Sequence, residues 1–139
     1  MYTIGVDLGG TNIAIGLCDS ELNIVDKGSV PTLAKRENEL IIKDMADLAR
    51  TIVERNGLTP SDIEYVGIAA PGSVDTAAGV IEYSNNIQMK NFPIVEVFKK
   101  YFPIDRVYVA NDANAAALGE ALAGAAKGAP TSMMTQDSR

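Results

Sequence analysis

Six residues near the start of the chain, Asp7-Leu8-Gly9-Gly10-Thr11-Asn12, combine a carboxylate, two adjacent glycines and two hydrogen-bonding side chains. A second polar pair, Asn111-Asp112, lies towards the other end. Glycines without Cβ, and able to take positive φ, let a turn bring its N–H groups close to phosphate oxygens. Thr11 and Asn12 would add side-chain donors. Asp7 would repel a phosphate unless a cation stood between them, so its natural partner is Mg²⁺ carried with a nucleotide and held through water. The same residues also suit an ordinary Gly-Gly hairpin turn in which Asp7 closes an Asx-turn. For Asp112 the simplest role is helix N-cap, although the helix start beyond it also offers donors and a partial positive charge to a ligand in front.

The flanking segments decide which phosphate motifs are possible. Tyr2 to Val6 is β-rich, and Ile13, Ile15 and Leu17 alternate with Ala14, Gly16 and Cys18, so the turn joins strand to strand. Dinucleotide and P-loop fingerprints both open a helix and have other spacings, which excludes them. Ile24 to Val30 reads as a third strand ended by Pro31. Residues 37–56 turn helical, with Ile41, Met45, Leu48 and Ile52 in one stripe beside Ile42, Ala49 and Val53, and Gly57 as the stop. Tyr65 to Ala70 is an apolar run of strand length, expected to be buried on both faces. It leads into Pro71-Gly72-Ser73-Val74-Asp75, at the carboxyl end of a strand, where open α/β sheets place binding crevices. After Val80 to Tyr83, Ser84-Asn85-Asn86 reads as a polar segment outside the core. Pro93 to Phe102 predicts a short helix with Val97, Phe98, Tyr101 and Phe102 inward, and Arg106 to Ala110 a fifth strand. From Ala113 to Leu122 the predicted helix is half alanine and carries Gly119, so its backbone could lie close to a sheet.

A chain of 139 residues is one domain of ordinary size. No basic, apolar leader precedes the first strand and no apolar run spans a membrane, so a cytoplasmic protein is expected. The single Cys18 allows neither an intrachain disulfide nor a Cys-based zinc site. Twelve basic against eighteen acidic residues, net −6, argue against a nucleic-acid partner. With no histidine present, a general base must be Asp, Glu, Lys, Tyr or the lone Cys18, with Asp or Glu as the default candidate.

Taken together, the first motif, Ala70-Pro71-Gly72-Ser73-Val74-Asp75, the Asn85-Asn86 loop and the stretch from Asn111 to Glu120 resemble the amino-terminal half of the ROK family of repressors and sugar kinases, glucokinase among them. The resemblance covers residues 1–128. It implies an actin-like, ribonuclease-H-like α/β lobe: a five-stranded mixed sheet, its first three strands antiparallel, with flanking helices. It also implies ATP and Mg²⁺ as cofactors and a hexose or N-acetylhexosamine as substrate. Asp7 is then the metal-associated carboxylate, with Gly9, Gly10, Thr11 and Asn12 forming the phosphate loop. Gly72, Ser73, Asn85 and Asn111 become sugar contacts, with Asn86 as substitute for Asn85, and Asp112 the catalytic base.

The departures are equally specific. The family's second phosphate motif, a Gly-Thr-Gly run, should follow Gly128, but Ser132 to Arg139 carries nothing similar. The sugar-holding Glu and His, the adenosine segment and the zinc motif of the other half are also missing. Residues 1–128 are therefore expected to be one lobe of a bilobal kinase, and 129–139 a frayed tail. Such a lobe should be inactive alone and, lacking the carboxyl-terminal lobe that would cover it, open to forming a homo-oligomer. The alternative is a non-catalytic sugar-sensing or remnant domain akin to the family's repressors. Those normally carry a DNA-binding helix-turn-helix ahead of the first strand, which favours the kinase lineage.

Overall fold

In the computed structural model, residues 1–111 are described. β1 (Tyr2–Leu8), β2 (Asn12–Cys18) and β3 (Ile24–Pro31) form an antiparallel meander. α1 (Asn38–Arg55) follows, and a 3-10 turn over Pro60–Asp62 leads into β4 (Ile63–Ala70). Three short strands come next, β5 (Ser73–Asp75), β6 (Val80–Ser84) and β7 (Met89–Phe92), before α2 (Ile94–Tyr101) and β8 (Val107–Asn111). The main sheet has the order β3-β2-β1-β4-β8, with β4 parallel to β1 and β8 parallel to β4. This is the expected five-stranded mixed sheet with flanking helices.

Alternation along the strands puts Ile4, Val6, Leu8, Ile13, Ile15, Leu17, Val66, Ile68 and Val109 into one buried cluster with the apolar face of α1 and with Phe98 and Phe102. Full burial of each such side chain contributes about 1.5–3 kcal/mol relative to exposure, and the cluster holds the sheet to its helices. α1 buries Ile41, Ile42, Met45, Ala46, Ala49, Ile52 and Val53. Leu48, expected inward, is only half-buried, because it lies over β3 at the rim, where a Cβ on Gly28 would come 3.4 Å from its Cδ1. Gly57 does end α1: with φ +74° it donates to the Glu54 carbonyl at 3.0 Å, while Leu58 donates to Val53 at 3.0 Å. Both bonds of a Schellman cap are therefore made. In α2 the buried anchors are Ile94 and Phe98, while Val97 and Tyr101 are half-buried.

Polar contacts tie the helices together. Glu39 accepts from Lys100 at 2.7 Å and from the Tyr101 hydroxyl, and Arg50 donates to the Tyr101 carbonyl. The Lys100 and Tyr101 bonds hold the Glu39 carboxyl below its ordinary pKa. Arg55 binds Asp26 of β3 through two nitrogens, at 2.7 and 2.9 Å, and Asn56 adds a third donor at 2.8 Å.

Among the described residues α1 and α2 join the core through one face of β4, and on its other face Tyr65, Gly67 and Ala69 are half-buried and line a largely apolar hollow of about 770 Å³ with Gly5, Asp7 and Gly16. Two expectations are corrected. Residues 71–92 are not a loop around one strand but a second, three-stranded antiparallel sheet, β5-β6-β7. Within it Ser84, expected outside the core, is 2% exposed, because β6 turns it inward opposite Met89.

Candidate functional site

Because β1, β4 and β8 run parallel, their carboxyl ends share one edge of the main sheet. Asp7 stands beside Ala69 of β4 on one side and Ala14 of β2 on the other. Asn111 stands beside Ala70, so it adjoins Pro71-Gly72 at the end of β4. The β1–β2 turn, the start of the second sheet and Asn111 therefore meet along this edge. Asp112 lies outside the described residues, as do residues 113–139.

The tip of the first hairpin is held from within and from behind. Gly9 N–H donates to the Asn12 carbonyl at 3.0 Å, and a Cβ on Gly9 would sit 2.8 Å from that oxygen. Neither Gly9 nor Gly10 has positive φ, so it is space rather than backbone handedness that requires glycine at position 9. From β3's end, Thr32 donates its hydroxyl to the Gly9 carbonyl at 2.7 Å and its N–H to the Thr11 carbonyl at 2.8 Å. Thr32 is fully buried, and nothing in the sequence beyond its place after Pro31 marks it. Gly10, Thr11 and Asn12 are exposed, as a surface that meets a ligand requires.

The second sheet delivers the other residues. Gly72 has φ +86°, and a Cβ there would come 2.2 Å from the Tyr83 carbonyl, so only glycine fits where β4 turns into β5. Ser73 donates to Glu82 at 3.0 Å across the β5–β6 pair. The two asparagines of the loop differ. Asn85 accepts from the Tyr83 hydroxyl at 2.7 Å, whereas a Cβ on Gly10 would lie 3.4 Å from the Asn86 Cβ. Asn86 is thus the one brought against the hairpin tip.

Asp7 is exposed on the face that lines the hollow. Among the described residues no cluster of three or more His, Cys, Asp or Glu could hold a metal ion. The donor set suits a cation that arrives with its own phosphate and water ligands and meets one carboxylate. No helix among the described residues is long and apolar enough to cross a membrane.

The sheet order β3-β2-β1-β4-β8 with its parallel carboxyl edge is that of an actin-like α/β domain. The chain belongs to the ROK family, whose family model matches residues 3–136. It is 34% identical over 133 residues to a glucokinase of Halalkalibacterium halodurans, covering 96% of this chain and 40% of that one. The crystal structure of a ROK family glucokinase from Streptomyces griseus in complex with glucose and AMPPNP matches with a TM-score of 0.73 at 36% identity, over 86% of this chain and 36% of that one. A xylose repressor of Caldicellulosiruptor bescii is 29% identical, over 84% of this chain and 29% of its own length. The chain thus spans 40% or less of the length of these relatives.

Proposed function

We propose that residues 1–128 are the amino-terminal lobe of a glucokinase-like enzyme that phosphorylates a hexose or N-acetylhexosamine with ATP. The carrying observation is the shared carboxyl edge, on which Asn86 lies against Gly10 of the hairpin tip and Asn111 stands beside Ala70, next to Pro71-Gly72. The glucokinase solved with glucose and AMPPNP supports the same pairing of ligands.

In this reading Gly10, Thr11 and Asn12 meet nucleotide phosphate, and Asp7 orients the hydrated cation that comes with it. Mg²⁺, when bound, supplies charge neutralisation on the phosphates. Gly72, Ser73, Asn86 and Asn111 contact sugar hydroxyls; Asn85 supports the loop through Tyr83 and is a weaker contact than its neighbour. Asp112 accepts the proton of the attacking hydroxyl, since phosphoryl transfer asks the protein mainly for positioning, a proton acceptor and charge stabilisation. The remaining clamp on both ligands belongs to a carboxyl-terminal lobe.

A titration of the ¹⁵N-labelled chain tests this reading. Mg-ATP should shift the Gly10 and Thr11 amides, and glucose or N-acetylglucosamine those of Gly72 and Asn111. No response to either ligand overturns it. The similarity to a xylose repressor supports a second reading, a sugar-sensing domain without catalysis. Sugar shifts without any nucleotide shifts would favour that one.

A further inference from the structure

We propose that Thr32 is a positioning residue for the phosphate loop, clamped in turn by Arg36, so that the connection from β3 to α1 sets where the hairpin tip points. This rests on the reading of the tip as a phosphate site. A glycine-rich tip with no positive φ has little intrinsic reason to keep one shape, and its own closure is the single Gly9-to-Asn12 bond. Thr32 adds two bonds from outside the hairpin, one to each side of Gly10: the hydroxyl to Gly9 at 2.7 Å and the N–H to Thr11 at 2.8 Å. With both carbonyls held behind the tip, the intervening peptide groups have their N–H sides left for a ligand.

Thr32 is itself fixed. Leu33, with φ +52°, turns the chain sharply out of β3 and lets Arg36 fold back. Arg36 donates to the Thr32 carbonyl at 2.8 Å through Nη2 and to the Leu33 carbonyl at 3.1 Å through Nε, and pairs with Asp44 of α1 at 2.8 Å. The buried hydroxyl thus sits in a chain of contacts from α1 to the tip. Loss of the hydroxyl would leave the Gly9 carbonyl without this donor in a part-buried place, a more costly outcome than losing an exposed bond.

The test compares the chain with Thr32→Val, which keeps the shape and removes the hydroxyl, and Thr32→Ser, which keeps the hydroxyl. Amide hydrogen exchange is measured without ligand, and amide shifts are then followed with Mg-ATP. In Thr32→Val, exchange at Gly9 should accelerate about tenfold while β4 and α1 amides keep their rates, as a local opening requires. The nucleotide-induced shifts at Gly10 and Thr11 should fall away, and Thr32→Ser should restore both readouts. Unchanged exchange at Gly9, or Mg-ATP shifts retained in Thr32→Val, overturns the positioning role while leaving the phosphate reading intact. If Mg-ATP shifts no tip amide even in the unsubstituted chain, the phosphate reading falls and the positioning role falls with it. Should Thr32→Val fail to fold, Arg36→Gln provides the same comparison from one contact further back.

Discussion

At Gly10 the room for a side chain ends at Asn86, 3.4 Å from where a Cβ would stand. An alanine would fit that gap, but the branched carbons of valine would press on Asn86 and cover the N–H side of the tip. Gly10→Val should leave the fold intact and weaken Mg-ATP binding at least tenfold, roughly the worth of one good hydrogen bond. Calorimetric titration beside a melting curve checks both halves. A different residue carries strain: Leu33 is 62% exposed with φ +52°, a conformation that costs a branched side chain about 1 kcal/mol and asparagine much less. Leu33→Asn should therefore raise stability by about 0.5–1 kcal/mol in denaturant unfolding. Residue types and spacing made the tip legible in the sequence, and the structure places Asp7, Gly72 and Asn111 along one edge. Spacing could not tell Asn85 from Asn86, because that difference depends on a Tyr83 hydroxyl and a neighbouring turn. Thr32 was invisible for a related reason: its importance lies in two bonds to a segment distant in sequence.

Among the elements, the joint between β3 and α1 is the one that acid should reach. Asp26 is held far below the ordinary carboxylate range, first by the Arg55 hydrogen bond and then by that of Asn56. A carboxyl depressed in the folded state adds stability above its unfolded pKa of about 4, and that contribution is lost as pH falls from there towards the folded value. The pair is solvent-exposed, so the effect is small and weakened by salt. Asp26→Asn should lower Tm slightly at pH 6, and the gap from the unsubstituted chain should close as pH approaches 2; a gap constant across that range would show that the pair is energetically silent. Most elements were readable because their periods are clean: two for β1 and β2, helical for α1. The second sheet was not. Met89-Lys90-Asn91-Phe92 has no alternating apolar pattern, and Gln88 and Asn91 have φ of +58° and +50°. Pairing with β6 rather than local preference makes that segment a strand.

At the scale of the whole molecule, Gly10, Thr11 and Asn12 are exposed at the carboxyl edge among the described residues, and catalysis between two lobes depends on closing both reactants away from water. Purified alone, the chain should show no sugar kinase turnover with Mg-ATP over a panel of hexoses in a coupled assay. Joined to the carboxyl-terminal lobe of a ROK glucokinase it should gain activity, and Asp112→Asn should remove at least about a hundredfold of it, the scale of general base catalysis. Turnover by the isolated chain, absent from a matched Asp112→Asn control preparation, would refute the single-lobe proposal. The order β3-β2-β1-β4-β8 also governs how the sheet is built on the ribosome. β1 is made before the four strands it shares this sheet with yet lies at their centre, and its antiparallel side is filled at once by β2. Its parallel side must wait for residues 63–70, with all of α1 translated in between. During that interval the nascent chain carries an unpaired strand edge beside half-formed core, the kind of surface that holdase chaperones bind. Slow codons placed between β3 and β4 would lengthen that exposure, and the yield of soluble chain should fall with them.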